Sequence, residues 1–356
     1  MQKLISILLT IFVATHISAQ TLHTILVANE KETYREKDRA EDVTQMDNLF
    51  KDVANCISYQ YNSVKKSDEY FSPQEINKEI NNLNTGQNDI IVFYYSGHGK
   101  HPKEDKSKWP TLEFNAGDKD DYPFTEIVKS LDEKAKNAKL ILCIADCCND
   151  FYNLKGNHPN SDQELQKNKR DIYIKNIQNL FIGFSGKKTI IISAASKGQL
   201  SWSSTSGPYY GSFFRGYFQE SIYKLASDNN SPDWYSIMNL AIKQTESNFS
   251  KKQTPQYEVH YWADGKDYKD IYKTSEIARK TLDRIKFNPK EEKYYEELNE
   301  YLYWIEEYYN KTKDCKVGKD LLYIIDYVFS KGKIQKDYER NQKYHNLKYD
   351  IKKNCQ

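Results

Sequence analysis
The chain has 356 residues, enough for one or two domains with a large buried core. Its 52 basic and 50 acidic residues nearly cancel, leaving a formal net charge of +2. No basic stripe interleaved with aromatics stands out, so the electrostatic footprint of a nucleic-acid binder is absent from the sequence.

The first twenty residues read MQKLISILLTIFVATHISAQ: a lysine, an apolar run from Leu4 to Ala14, then small residues before Gln20. That layout predicts a secretory signal peptide over residues 1–19, removed after Ala19. The run is too short to span a bilayer, which takes about 20 residues, and no cysteine lies near the cleavage point. The expected mature chain is extracytoplasmic, secreted or periplasmic, without stable membrane insertion.

From there to about residue 265, strand and helix signals alternate. His23–Glu30 is an apolar run bounded by polar residues, hence a buried strand. Residues 41–55 space Val43, Met46, Leu49, Phe50 and Val53 on one helical face. Ser72-Pro73 starts a second helix with a capping residue followed by proline at the first helical position. Strand signals follow at 90–96, 138–146 and 187–196, with helices at 122–136, 211–226 and 233–249. This alternation predicts a mostly parallel sheet covered by helices on both faces, an α/β/α sandwich. In such sheets ligand chemistry gathers beyond the carboxyl ends of the strands.

Two strand ends carry reactive residues. Ile90–Ser96 runs into Gly97-His98-Gly99, and Leu140–Ala145 runs into Asp146-Cys147-Cys148. As neighbouring parallel strands they would deliver His98 and the cysteines to one sheet edge. An imidazole is the usual base that turns a thiol into a thiolate near neutral pH. The flanking glycines let substrate backbone approach, and the Gly99 N–H is free to face a developing oxyanion. A rival reading of the same side chains, His98 and His101 with Cys147 and Cys148, is a zinc site. Among the remaining cysteines, Cys56 and Cys143 sit in apolar stretches as small buried hydrophobes. Cys315 and Cys355 share the C-terminal segment, and the sequence leaves open whether they pair.

YYSGHG followed by LCIADCCND resembles the caspase-like cysteine peptidases, especially the metacaspases and their bacterial relatives. His98 and Cys148 are 50 residues apart, close to the spacing known for caspases. TIIISAASKGQLSW, GSFFRGYF, KKQTPQYEV and RAEDVTQM resemble further family motifs in the right order, so the likeness covers about residues 22–262. It implies a caspase-haemoglobinase-like fold for residues 20–265, with residues 270–356 as a small C-terminal helical unit of unassigned role.

Carried over residue by residue, the resemblance makes His98 the catalytic histidine and Cys148 the nucleophile, with Cys147 on a variable position. Gly99 and the Cys148 N–H match the oxyanion donors. Asp146 and Asp42 match carboxylates lining the specificity pocket, with Ser96 beside them. Such a pocket favours a basic side chain before the scissile bond. The implied function is a cysteine endopeptidase cutting protein or peptide substrates after Arg or Lys through a thioacyl intermediate, with no cofactor required. A catalytically inactive caspase-like binding module is the alternative. For Asp42 an exposed first-turn carboxylate favoured by the helix dipole remains a competing reading.

The chain departs from the pattern after the nucleophile, where Asn149, Asp150 and Phe151 stand in place of the usual His-Ser-Gly. Asp118, Asp120 and Asp121 fall near where some relatives bind calcium, but their spacing fits no calcium loop and reads as a solvated acidic turn. The polar segment 155–176 lies where relatives carry a self-cleavage or inhibitory loop, which makes Lys169 and Arg170 candidate cleavage points. Beyond 270, Tyr294, Leu298, Tyr301, Leu302, Ile305 and Tyr308/Tyr309 recur at helical spacing, which predicts Tyr-rich helices packed by their aromatic faces.

Overall fold
A computed structural model describes residues 20–28, 36–102, 104–114, 121–150, 170–184, 186–204, 211–229, 231–249, 251–263, 266–287, 292–330 and 338–355. The signal-peptide segment 1–19, Asp118, Asp120 and Lys169 lie outside these residues, while Arg170 opens a helix.

In chain order the elements are β1 (Thr21–Ala28), α1 (Glu36–Ile57), β2 (Gln60–Lys66), α2 (Pro73–Asn82), β3 (Ile90–Ser96) and β4 (His98–Lys100). Then come β5 (Thr111–Glu113), β6 (Asp121–Pro123), α3 (Phe124–Lys134), β7 (Leu140–Asp146), α4 (Arg170–Phe181) and β8 (Lys187–Ser193). Next are β9 (Ser203–Ser204), β10 (Gly211–Ser212), α5 (Phe213–Ala226), α6 (Trp234–Phe249), β11 (Gln256–Ala263) and β12 (Lys266–Asp267). Four helices close the chain: α7 (Ile271–Phe287), α8 (Glu292–Thr312), α9 (Cys315–Ser330) and α10 (Tyr338–Asn354).

Seven strands form the main sheet in the order β12-β11-β8-β7-β3-β1-β2. The five from β8 to β2 run parallel, and β11 with β12 closes one edge antiparallel. The central strands are apolar at nearly every position because both sheet faces are covered. On β3, Ile90, Val92 and Tyr94 enter one core while Ile91, Phe93 and Tyr95 enter the other. On β7 the split is Leu140, Leu142 and Ile144 against Ile141, Cys143 and Ala145. Period-2 alternation thus builds two cores from one strand. The first is roofed by α1, α4, α5 and α6, the second by α2, α3 and the three-stranded sheet β4-β5-β6. Each fully buried Leu, Ile or Phe contributes about 1.5–3 kcal/mol. A slip of one residue would exchange every contact on both faces, so the register is tightly fixed.

Helix starts follow their capping chemistry. The Ser72 hydroxyl accepts from the Glu75 N–H at 3.2 Å ahead of Pro73. At α5 the Ser212 hydroxyl accepts from the Arg215 N–H at 3.3 Å. The C-terminal helices do not stand apart from this fold. Leu298, Leu302, Ile305, Tyr308 and Tyr309 of α8, with residues of α7, α9 and α10, belong to the same continuous core as α1 and α5. The Tyr308 ring meets Tyr261 of β11 edge-on at 5.5 Å.

Cys315 and Cys355 form a disulfide that ties the start of α9 to the end of α10. Its ends are 40 residues apart in sequence, so opening it frees enough denatured-chain entropy to lower stability by about 2–4 kcal/mol. Urea denaturation with and without reductant should show that loss, and Cys315→Ser/Cys355→Ser should reproduce it without reductant. Superimposable curves would show that the bond contributes nothing.

Candidate active site
Ser96 and Asp146 sit opposite one another in the β3–β7 register. His98 follows Ser96 by two residues and Cys148 follows Asp146 by two, so both reactive side chains emerge at the carboxyl edge of the sheet. The strand order 2-1-3 reverses direction between β1 and β3, which is where an open α/β sheet leaves a crevice. Asp42, from the helix after β1, reaches the end of β3 at this crevice: the Ser96 hydroxyl donates to its Oδ2 at 2.9 Å.

The two reactive loops are pressed together. A Cβ on Gly99 would lie 2.4 Å from Cys147 Sγ and 2.5 Å from the Cys148 carbonyl oxygen. Only glycine permits that approach. Gly97 has its own reason, since a Cβ there would strike the Tyr95 hydroxyl at 2.5 Å. That hydroxyl bonds the carbonyls of His98 and Glu113 at 2.7 and 2.6 Å, which pins the turn carrying the histidine.

Cys148 is half-buried, and its thiol lies against the Ser201 backbone, accepting from the N–H at 3.4 Å with the carbonyl at 3.7 Å. Cys147 points the other way, into the second core, and is 1 % exposed. Burial pushes its thiol up, as it does those of Cys143 and Cys56, the last to about 11.

The departure at Asn149 has a structural explanation. Its side-chain amide donates to the carbonyls of Lys108 at 2.8 Å and Ala195 at 3.3 Å, while its carbonyl oxygen meets His101 Nδ1 at 3.1 Å. The other ring nitrogen of His101 meets the Asp105 carbonyl at 3.2 Å. His101 therefore ties the Cys148 loop to the loop around Asp105, one ring nitrogen to each. Among the described residues no cluster of three metal-ligating side chains forms, so the zinc reading finds no geometry. Asp121 pairs with Lys100 at 2.5 Å.

Beside the reacting edge lies an acidic pocket. Asp146 is buried; it accepts from the Ser212 hydroxyl at 2.7 Å, the Tyr94 hydroxyl at 3.0 Å and the Ser201 hydroxyl at 3.3 Å. Burial, reinforced by Asp42, pushes its carboxyl up to about 7. Asp42 is 2 % exposed, which removes the exposed first-turn reading. Its Oδ1 accepts from the Ser212 N–H at 2.7 Å and from Arg215 Nε at 3.0 Å. Arg215, at the start of α5 with its side chain 12 % exposed, is a counter-ion supplied by the fold. Burial pushes Asp42 up, against the pull of this guanidinium. Gly211 closes the corner at φ +105°, where a Cβ would stand 2.2 Å from Asp42 Oδ1.

The structure thus gathers Ser96, His98, Gly99, Asp42, Asp146 and Cys148 in one place. Sequence reasoning missed Arg215, which pairs with Asp42, and also Asp38, the buried Arg39 and the serines 201, 203 and 212, which border the pocket. Arg215 was the findable one, since a basic residue three positions after a helix cap is poorly placed for the dipole and calls for a nearby acid. The cavity among these groups is only about 30 Å³, roughly the share of one water molecule.

In the native protein, a small alkylating agent should modify Cys148 alone among the four free cysteines. Peptide mapping after brief iodoacetamide treatment checks this, and modification of Cys147 at a comparable rate would show that the two thiols are placed differently.

A caspase-domain family model matches residues 25–263, about two-thirds of the chain. No curated protein matches significantly. Among solved structures, protein GSU0716 from Geobacter sulfurreducens is similar at 16 % identity, with a TM-score of 0.41 over 69 % of this chain and 95 % of that one. That likeness is too slight to carry an argument. Element order, mostly parallel sheet and family match agree: the chain belongs to the caspase-domain family.

Proposed function
We propose that the protein is a cysteine endopeptidase that cleaves protein substrates after basic residues, with Cys148 as nucleophile and His98 as base. The observation that carries this reading is the register pair Ser96–Asp146, which sets histidine and cysteine at equal offsets beside a buried acidic pocket. His98 takes the Cys148 proton, and the thiolate sulfur bonds to the substrate carbonyl carbon. The Gly99 and Cys148 N–H groups receive the oxyanion. Collapse breaks the C–N bond, His98 returns the proton to the departing amine, and water, deprotonated by His98, then splits the thioester.

Recognition falls chiefly to Asp146. Asp42 is already paired with Arg215, so its charge is spoken for, whereas Asp146 is held by neutral hydroxyls. A substrate guanidinium needs more room than about 30 Å³, and the weakest hydrogen bond on Asp146, from Ser201 at 3.3 Å, is the one it displaces. Opening of the Ser201–Ser203 segment is therefore part of substrate binding. Arginine should be preferred over lysine because its planar fork meets a carboxylate in two bonds. The Cys315–Cys355 disulfide supports an extracytoplasmic location, together with the signal-like N-terminus. Calcium is not needed for this chemistry. Self-processing near Lys169-Arg170 fits the same specificity.

Cys148→Ala should abolish hydrolysis of fluorogenic peptides ending in Arg, and Cys147→Ala should keep much of it. Near-normal turnover by Cys148→Ala would remove the nucleophile assignment. Peptides ending in Asp should not be cut. If they are preferred, the acidic pocket does not set specificity.

A pH series separates the pocket from the catalytic pair. Asp146 is neutral below about 7 and anionic above it, so the ratio of kcat/KM for Arg over Leu peptides should rise with pH through that value. Taking the ratio cancels the shared titration of cysteine and histidine. Asp146→Asn should flatten the ratio and lower kcat/KM for Arg peptides about 30-fold or more, since truncating a desolvated charge pair costs about 2–5 kcal/mol. A wild-type ratio that stays level with pH would assign recognition elsewhere.

A further inference from the structure
At the opposite end of the sheet, Lys188 is the second residue of β8 and pairs with Leu140 and Tyr261 of the neighbouring strands. It lies six residues of strand away from the Ser96–Asp146 edge, a distance of about 20 Å at 3.3 Å per residue. Its side chain is 4 % exposed. The ammonium stands 3.7 Å from the Phe184 ring centroid, 4.7 Å from that of Tyr261 and 5.8 Å from that of Tyr272. Among the described residues no carboxylate comes within ion-pair distance of it. A lysine buried this far is costly to keep charged without a partner anion, and burial lowers its ammonium to about 7.

Lys188 lines a cavity of about 1100 Å³ between the end of α4, the segment before α6 and the start of α9. Its size is that of a small-molecule site. The walls carry Phe184 and Tyr272 as apolar surface, with Lys316 and Lys319 on α9. Three aspartates also border it, and each is accounted for. Asp314 caps α9, taking the N–H groups of Lys316 and Val317 at 3.0 and 3.4 Å and the hydroxyls of Tyr272 and Tyr308 at 2.7 and 3.1 Å. Asp233 receives the Ser236 N–H at 2.7 Å at the head of α6 and pairs with Lys316. Asp228 is exposed to solvent.

We propose that this cavity binds a small organic anion, its carboxylate or phosphate meeting the Lys188 ammonium and its body lying against Phe184 and Tyr272. Asp314, held by the α9 cap and two tyrosines, acts on Lys188 through space without reaching it, and such an anion supplies the direct charge partner. The proposal also gives the C-terminal helices a task, since α9 forms one wall of a site whose floor is β8. It stands apart from the peptidase reading.

The test uses the full mature chain and 1-anilinonaphthalene-8-sulfonate, an aromatic anion whose fluorescence reports binding, with benzoate and phenyl phosphate as competitors. Expected is saturable binding at one site per chain, at least tenfold weaker in Lys188→Met. Methionine keeps the length while removing the charge, and circular dichroism confirms that the variant folds. Should Lys188→Met fail to fold, Lys319→Glu on the exposed wall should weaken binding at least threefold. Competition by benzoate marks a carboxylate ligand and competition by phenyl phosphate a phosphorylated one. Absence of saturable binding to the folded wild type, equal affinity in the variants, or no competition by either anion would overturn the proposal.

Discussion
Two carboxylates buried at one sheet edge are the constraint around which the acidic end of the molecule is organised. Asp42 and Asp146 come from distant parts of the sequence, and Ser212 joins them, donating its N–H to one and its hydroxyl to the other. Like charges in a low dielectric repel, and each also loses its hydration. The fold offsets this in two ways: an internal guanidinium from Arg215 beside Asp42, and three hydroxyls around Asp146. Removing the Tyr94 or Ser96 hydroxyl, each the donor to the second oxygen of its carboxylate, takes a hydrogen bond from a buried acceptor, which costs about 1–3 kcal/mol or more. The same Ser212 caps α5, so the helix start and the pocket are one structure.

The asymmetry between the two acids gives the pocket its character. A pocket with two free carboxylates would be expensive to keep empty. Pairing Asp42 within the fold leaves a single group whose ionisation responds to what docks against it. The narrowness of the cavity follows from the same hydrogen bonds, because Ser201 and Ser212, which satisfy Asp146, also line it. In the proposed reading, binding and opening are coupled: a substrate guanidinium would replace Ser201 on the carboxylate as the segment moves aside.

Much of this was legible in the sequence. Ile90–Ser96 and Leu140–Asp146 read as buried strands because continuous runs of six apolar or aromatic residues, each ended by a polar one, fit little else. Their common edge then followed from the rule that parallel strands point one way. The helix begun by Ser72-Pro73 was marked by its cap. The short strands of the β4-β5-β6 sheet were not legible, since three-residue strands carry no period. Nor was the Cys315–Cys355 bond, which depends on α9 and α10 meeting in space. Arg215 escaped because its meaning lies 173 residues away in sequence, at Asp42. Asn149 looked like a loss relative to the family pattern, yet it holds the loop after Cys148 through His101, Lys108 and Ala195.

The roles of Cys148 and Asp146 are tested most directly by a crystal structure of the protein treated with a peptide carrying arginine before a thiol-reactive group. Expected are a covalent bond to Cys148 Sγ, His98 within hydrogen-bonding reach of the reacting centre, the arginine side chain on Asp146 in place of Ser201, and Asp42 still paired with Arg215. A bond to Cys147, or an arginine side chain lying outside the Asp146 pocket, would contradict these roles.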